Sequence, residues 1–205
     1  MAVKKSKVLR KPKGEYHHGD LRTSLKQAAL RLVQEKGPRG FSLNEASRLA
    51  GVSVAAPYRH FADKDGLLAE IARDGYELLE REIHMAVEKG GSPRQQLIES
   101  GMAYLSFARN HADYFTVMFQ SGLERSKYPE IERSVNAGLG VILDLAKQYE
   151  RTPAQAEARA VSAWALVHGL AGLDHDGALG AVTGKAQTPE QLRPILEQFV
   201  DQPYK

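Results

Sequence analysis

Four side chains able to hold a polyanion, Tyr58, Arg59, His60 and Lys64, lie within seven residues of one another, just after the turn Ala50-Gly51-Val52-Ser53. Arginine and lysine neutralise phosphate, and tyrosine and histidine can hydrogen-bond its oxygens; such contacts position a protein on nucleic acid without reading its sequence. Ser42 is a further anchor candidate, because a residue at a helix N-terminus aims backbone amides at a phosphate. Reading a sequence needs groups that reach base edges. Ser53 would cap a short helix whose exposed start offers Val54, Ala55 and Ala56, which can meet thymine methyls but cannot make bidentate hydrogen bonds. Arg59, one turn beyond Ala55, is the strongest candidate donor to a base edge. Tyr58 and His60 have an alternative use as packing groups at the edge of a small domain.

Other chemistry is poorly supplied. His168 and His175 are seven residues apart with Asp174 and Asp176 nearby, but a metal site needs a further convergent ligand and no short motif provides it. His17-His18-Gly19-Asp20 reads as a helix entry. The chain has no cysteine, so disulfides and thiolate chemistry are excluded. With no nucleophile motif, phosphate-cradling glycine loop or dinucleotide fingerprint, neither catalysis nor a cofactor is expected.

The elements that must hold these residues read as helices. Leu43, Ala46, Leu49 and Ala50 recur at helical spacing, Gly51 ends that helix in a left-handed turn, and a second helix is expected over 54–61. That helix is too short to stand alone and must lean on its neighbour. Before them, Leu21, Leu25, Ala28, Ala29, Leu32 and Val33 mark a helix starting near Asp20, closed by Gly37-Pro38 and Gly40. After them, Asp63 is placed to cap a long helix carrying Leu68, Ile71, Leu78 and Ile83. Further helices are expected from Pro93, from about Glu130 to Tyr149, from Thr152-Pro153 through Ala171, and from about Pro189 to Val200. The sequence predicts an all-α fold of about nine helices.

Charge divides the chain. Residues 1–66 hold 14 Lys/Arg against 6 Asp/Glu, a balance of +8, whereas the whole chain carries only +3. One half is thus suited to a polyanion and the other is not. Residues 1–13, with Lys4, Lys5, Lys7, Arg10, Lys11 and Lys13, lack periodicity and read as a disordered basic tail. No apolar run is long enough for a membrane span, so a soluble, cytoplasmic protein is expected.

The stretch from Ser42 to Lys64 resembles the DNA-binding domain of the TetR family of transcriptional regulators. Ser42, Ala50-Gly51-Val52-Ser53, Tyr58, His60-Phe61, Lys64 and Leu67-Leu68 carry the resemblance, with Ala46, Ser47 and Pro57 as departures. Trp164-Ala165-Leu166-Val167-His168-Gly169 is similar to the Trp-x-x-x-His-Gly signature of one subgroup of the family's C-terminal domains. The resemblance implies a DNA-binding domain over 14–66, its helix-turn-helix at 42–61, and a dimerisation and effector domain over 67–205. It implies a homodimer on a palindromic DNA operator, most simply a repressor released by an unknown small-molecule effector. Tyr58, His60 and Lys64 match the family's phosphate-contacting positions and join Ser42 as anchors. Tyr104, Phe107, Phe115, Met118, Phe119, Trp164 and His168 are candidates for the effector pocket, although aromatic stripes at helical spacing also make plain core. Leu166, Leu170, Leu173, Leu192, Ile195, Leu196 and Phe199 could pack a dimer interface or fill the protomer's own core.

Overall fold

The computed structural model describes residues 18–202, with side chains from Leu21 onward. The tail expected over 1–13 and the side chains of His17 and His18 lie outside the described residues. Among the described residues the chain forms nine α-helices and no strand: α1 (His18–Lys36), α2 (Leu43–Leu49), α3 (Lys64–Glu88), α4 (Pro93–Asn110), α5 (Ala112–Gln120), α6 (Pro129–Tyr149), α7 (Pro153–His175), α8 (Ala178–Thr183) and α9 (Pro189–Asp201). The all-helical expectation holds. None of the helices is long and apolar enough to cross a membrane.

Helix starts follow local chemistry. Ser42, Asp63, Ser92, Thr152 and Thr188 each accept a backbone amide in the first turn of the helix that follows, which satisfies an orphan donor. Pro93, Pro153 and Pro189 stand at the first helical position, where a missing N–H costs least. Gly51 ends the α2 segment at φ +71°, a conformation that a Cβ would strain.

The small N-terminal unit closes around Leu25, Ala29, Leu32, Val33, Phe41, Leu43, Ala46 and Phe61, all buried. Ser47 is buried among them and donates its hydroxyl to the Leu43 carbonyl at 2.8 Å, so its small polar side chain is satisfied at the crossing. The long α3 continues the chain out of this unit and packs against α4, α5 and α6. Pairs Arg22–Glu70 and Lys26–Asp74 fasten α1 to α3, and Gln34 donates to Asp113 of α5 at 3.2 Å.

At the far end α9 lies on α4. Arg94 clasps Asp201 through two bonds of 2.6 and 2.8 Å, and Arg193 reaches Glu99 at 2.8 Å. The largest fully buried side chain is Arg159 of α7. It donates to Glu150 at 2.7 Å and to the carbonyls of Phe199 and Gln202 at 2.9 and 2.6 Å, closing the C-terminal end of α9.

Candidate nucleic-acid interface and effector cavity

The segment expected as a regular helix over 54–61 is instead a run of tight turns, with a single 3-10 turn at Pro57–Arg59. The cause is Pro57. An α-helix there would need its N–H to reach the Ser53 carbonyl, and proline has none. The Ala56 amide takes that carbonyl at 3.0 Å, and His60 closes on Pro57 at 2.8 Å. Ala56, directly before the proline, keeps helical angles (φ −64°, ψ −40°). Pro57 is buried, which turns the neighbouring residues outward.

The outcome is an exposed knuckle. Ser53, Val54, Ala55, Tyr58 and Arg59 face solvent, with Val54 46% and Tyr58 57% exposed. Ala56 and His60 are half-buried, and the His60 ring stands edge-on to Phe61. The Lys64 ammonium is turned toward the loop joining α1 to α2, where the carbonyls of Phe41, Pro38 and Arg39 accept from it at 3.1, 3.4 and 3.4 Å. In this geometry it braces that loop. Ser42 donates its hydroxyl to Glu45 Oε2 at 3.0 Å while accepting the Glu45 amide, so a phosphate would compete with a carboxylate there. Lys36, followed by the Ser42 bonds, holds the Glu45 carboxyl down at about 2.

Two exposed polar groups of the neighbouring helix are further candidates that the sequence pattern did not single out. Asn44 and Arg48 lie one turn apart on the exposed side of α2. Their i, i+4 spacing within the first helix was the available signal.

The aromatic candidates of the C-terminal domain do not all meet in one place. Tyr104, Phe119 and Trp164 line a cavity of about 70 Å³ between α3, α4, α6, α7 and α9, with the end of α5 contributing Phe119. Phe107, Phe115 and Met118 are core, with Phe107 wholly buried. His168 is not among the lining residues. Its Nδ1 lies 2.9 Å from the Tyr104 hydroxyl, and its ring packs against Phe119 with centroids 4.6 Å apart. Burial, with a smaller contribution from Arg125, lowers the His168 pKa and so favours the neutral ring, whose Nδ1 shares a hydrogen bond with the Tyr104 hydroxyl. The i, i+4 spacing of Trp164 and His168 therefore sets the indole at the cavity and the imidazole behind it. The remaining wall is mostly aliphatic, supplied by Leu79, Ile83, Leu97 and Leu196 together with the α6 face of Val135, Leu139 and Ile142, with Tyr76, Glu80, Ser100 and Ser134 as its polar members. No periodicity argument links α6 to this cavity, because the juxtaposition is tertiary.

Of the residues considered for a dimer interface, Leu170, Leu192 and Leu196 are buried in the protomer core, and Leu166 and Phe199 pack on it. Leu173 and Ile195 remain open to solvent at 48% and 40%. Val161 (62% exposed), Ala165 and Gly169 continue an exposed stripe along α7 toward Leu173. Among the described residues no group of three or more His, Asp or Glu could hold a metal ion; His175 lies 3.4 Å from the Thr116 hydroxyl.

Comparisons with known proteins agree with this arrangement. Residues 25–71 match the family described as bacterial regulatory proteins, tetR family, and residues 97–197 match the tetracyclin repressor-like C-terminal domain. The chain is 33% identical over 95 residues to the HTH-type transcriptional regulator BetI of Agrobacterium fabrum, a match that takes in 46% of this chain and 44% of that one. The chain thus spans less than half the length of that curated relative. A Rhodococcus sp. RHA1 protein of unknown function superposes with a TM-score of 0.76 at 28% identity, covering 90% of this chain and 96% of that one. A transcriptional regulator from the same organism gives 0.67 at 26% identity, covering 87% and 93%. With both the reading unit and the helical remainder matched by models of one family, the chain belongs to the TetR family of DNA-binding transcriptional regulators.

Proposed function

We propose that this regulator is a homodimeric repressor that grips a palindromic operator through the 53–59 knuckle and lets go when a small molecule enters the α3–α9 cavity. The observation that carries the reading is the exposed set Val54, Ala55, Tyr58 and Arg59, held outward on a buried Pro57. Methyl groups at 54–56 favour thymine contacts, and Arg59 supplies the donor for a base edge. Ser42, Ser53, His60 and Lys64 stand around this knuckle as phosphate candidates, with Lys64 free to serve only by leaving its carbonyls.

The dimer reading rests on the α7 stripe of Val161, Ala165, Gly169 and Leu173 with Ile195 of α9. A single reading unit makes few contacts, so paired half-sites roughly 34–36 Å apart, or further for a wider dimer, suit it. The Trp-His-Gly subgroup is favoured by the joint use of Trp164, Tyr104 and His168 around one hydroxyl. Selection of bound sequences from random duplexes tests the proposal. Recovery of an inverted repeat supports a dimeric operator; recovery of no preferred sequence at low salt refutes it.

A further inference from the structure

The cavity also bears on what kind of molecule it takes, an inference that rests on the effector reading above. Its surface is almost wholly hydrocarbon, and the polar groups on its wall are nearly all engaged. Ser100 donates to the Leu97 carbonyl at 2.7 Å, Ser134 donates to the Glu130 carbonyl at 3.1 Å, and the Tyr104 hydroxyl is taken by His168. Tyr76 differs. Its hydroxyl accepts Arg125 Nη2 at 3.0 Å, and its own proton has no acceptor among the described residues. Burial raises the Tyr76 pKa against a smaller opposing effect of Arg125, so the group stays protonated and the cation behind it polarises the O–H bond. Glu80 is the only charged side chain among the described lining residues, one helical turn from Tyr76, and His84 lies 3.8 Å from it.

A buried donor without an acceptor is costly, and a ligand acceptor set against it recovers that cost. A carboxylate would fare badly there. It would feel Arg125 behind the tyrosine, but it would meet one free donor, no cation among the described lining residues and the Glu80 charge one turn away, and burying a charge in hydrocarbon costs far more than burying a dipole. We propose that the cavity binds an uncharged, hydrocarbon-rich molecule with one carbonyl-type acceptor, whose oxygen accepts a hydrogen bond from the Tyr76 hydroxyl while its hydrocarbon part lies along Leu79, Ile83, Leu97 and Leu196.

Trp164 is the chain's only tryptophan and lines the cavity, so its fluorescence reports occupancy directly. Titration of the full chain with 2-octanone, octanoate and octylamine is expected to give saturable binding of the ketone, with both ions at least about tenfold weaker. Tyr76→Phe, which keeps the ring and its packing, should weaken 2-octanone by roughly threefold to tenfold. Glu80→Gln should narrow the gap between octanoate and the ketone. Thermal melts of both variants establish that they fold.

Octanoate binding as tightly as 2-octanone overturns the proposal in favour of an anionic ligand, and tighter octylamine overturns it in favour of a cation held by Glu80. No saturable response to any probe, or an unchanged ketone affinity in folded Tyr76→Phe, also overturns it. Operator binding is measured separately without probe. Saturable ketone binding that leaves operator affinity unmoved upholds the ligand class and refutes effector release, so the two readings fail independently.

Discussion

Arg39, in the loop between α1 and α2, donates its Nη2 to the carbonyl of Gly122, just past α5, at 2.9 Å. The same guanidinium lies 3.7 Å from Asp65 at the start of α3. Gly122 holds φ +67°, and a Cβ there would stand 2.8 Å from Arg39 Nη2. Three residues on, Arg125 reaches the cavity tyrosine, Tyr76. A short physical path therefore runs from the cavity wall through the 122–125 loop to the reading unit.

Arg39→Ala should barely touch stability, because the side chain is largely exposed and such bonds contribute about 0.2–1 kcal/mol. Its expected effect is on coupling: operator affinity without ligand stays near that of the native chain, while the ligand concentration that releases DNA shifts. Gly122→Ala should do both, with the left-handed backbone costing about 1–2 kcal/mol and the melting midpoint falling by a few degrees. Parallel melts and ligand-response titrations of the two variants check this.

Lys64→Met is expected to lower stability more than it lowers salt dependence. The ammonium holds three loop carbonyls and stands 5.2 Å over the Phe41 ring, and its loss leaves the carbonyls to water and removes the cation–π contact. With about four phosphate contacts per protomer, the native dimer should show a logarithmic salt slope on the order of −7. A slope reduced by about 2 in the Lys64→Met dimer would show that each lysine leaves its carbonyls for a phosphate.

Arg159→Ala should be among the most damaging single changes. It strands Glu150, whose side chain is 9% exposed, and frees two carbonyls at the end of α9. Breaking a buried pair from one side costs about 3–5 kcal/mol. Urea unfolding should show that loss as a lower midpoint.

Several groups contribute to an acid limit, His168 and Glu45 beside the ion-paired Glu99, Glu124 and Asp201, whose carboxyls are also held low. His168 has its pKa depressed by burial, so the unfolded chain binds the proton more readily. That contribution to stability is complete above the unfolded value of about 6.5 and is lost as pH falls toward the folded value. Glu45, held at about 2 against 4.5 by Lys36 and Ser42, acts in the same direction at lower pH, its contribution present above about 4.5 and lost toward 2. Melting midpoints should therefore decline below about pH 6.5, and His168→Gln, which keeps a hydrogen-bonding side chain, should flatten the first part of that decline.

Leu173→Glu and Val161→Glu should each place a charge in the proposed interface without entering the protomer core, both positions being exposed. Sedimentation equilibrium is expected to show monomers that retain helical content but lose cooperative operator binding. Dimers unaffected by both changes would locate the interface elsewhere.

Much of the fold was readable because its signals are local. Ser42, Asp63, Thr152 and Pro93 mark helix starts through their own bonds to the next turn, and Gly51 marks a turn through its own φ. Pro57 was noticed, but its consequence was underestimated: one missing N–H replaced an expected helix by turns. The cavity was only partly legible. Tyr104, Phe119 and Trp164 line it, yet Phe107, Phe115 and Met118 turned into core, because an aromatic stripe gives a face and not the neighbour it meets. Tyr76 and the α6 wall carried no local signal at all. The same limit applied to Leu173 and Ile195, which only tertiary packing separates from the buried Leu192 and Leu196.

Fluorescence anisotropy of Arg59→Ala against a selected operator and an unrelated duplex is the most direct test of how the regulator reads DNA. The expected result is a loss of about 1–3 kcal/mol per half-site on the operator, relaxed preference at one base position, and unchanged affinity for the unrelated duplex. Equal weakening on both duplexes, or none on either, would contradict the assignment of the 53–59 knuckle as the reading surface.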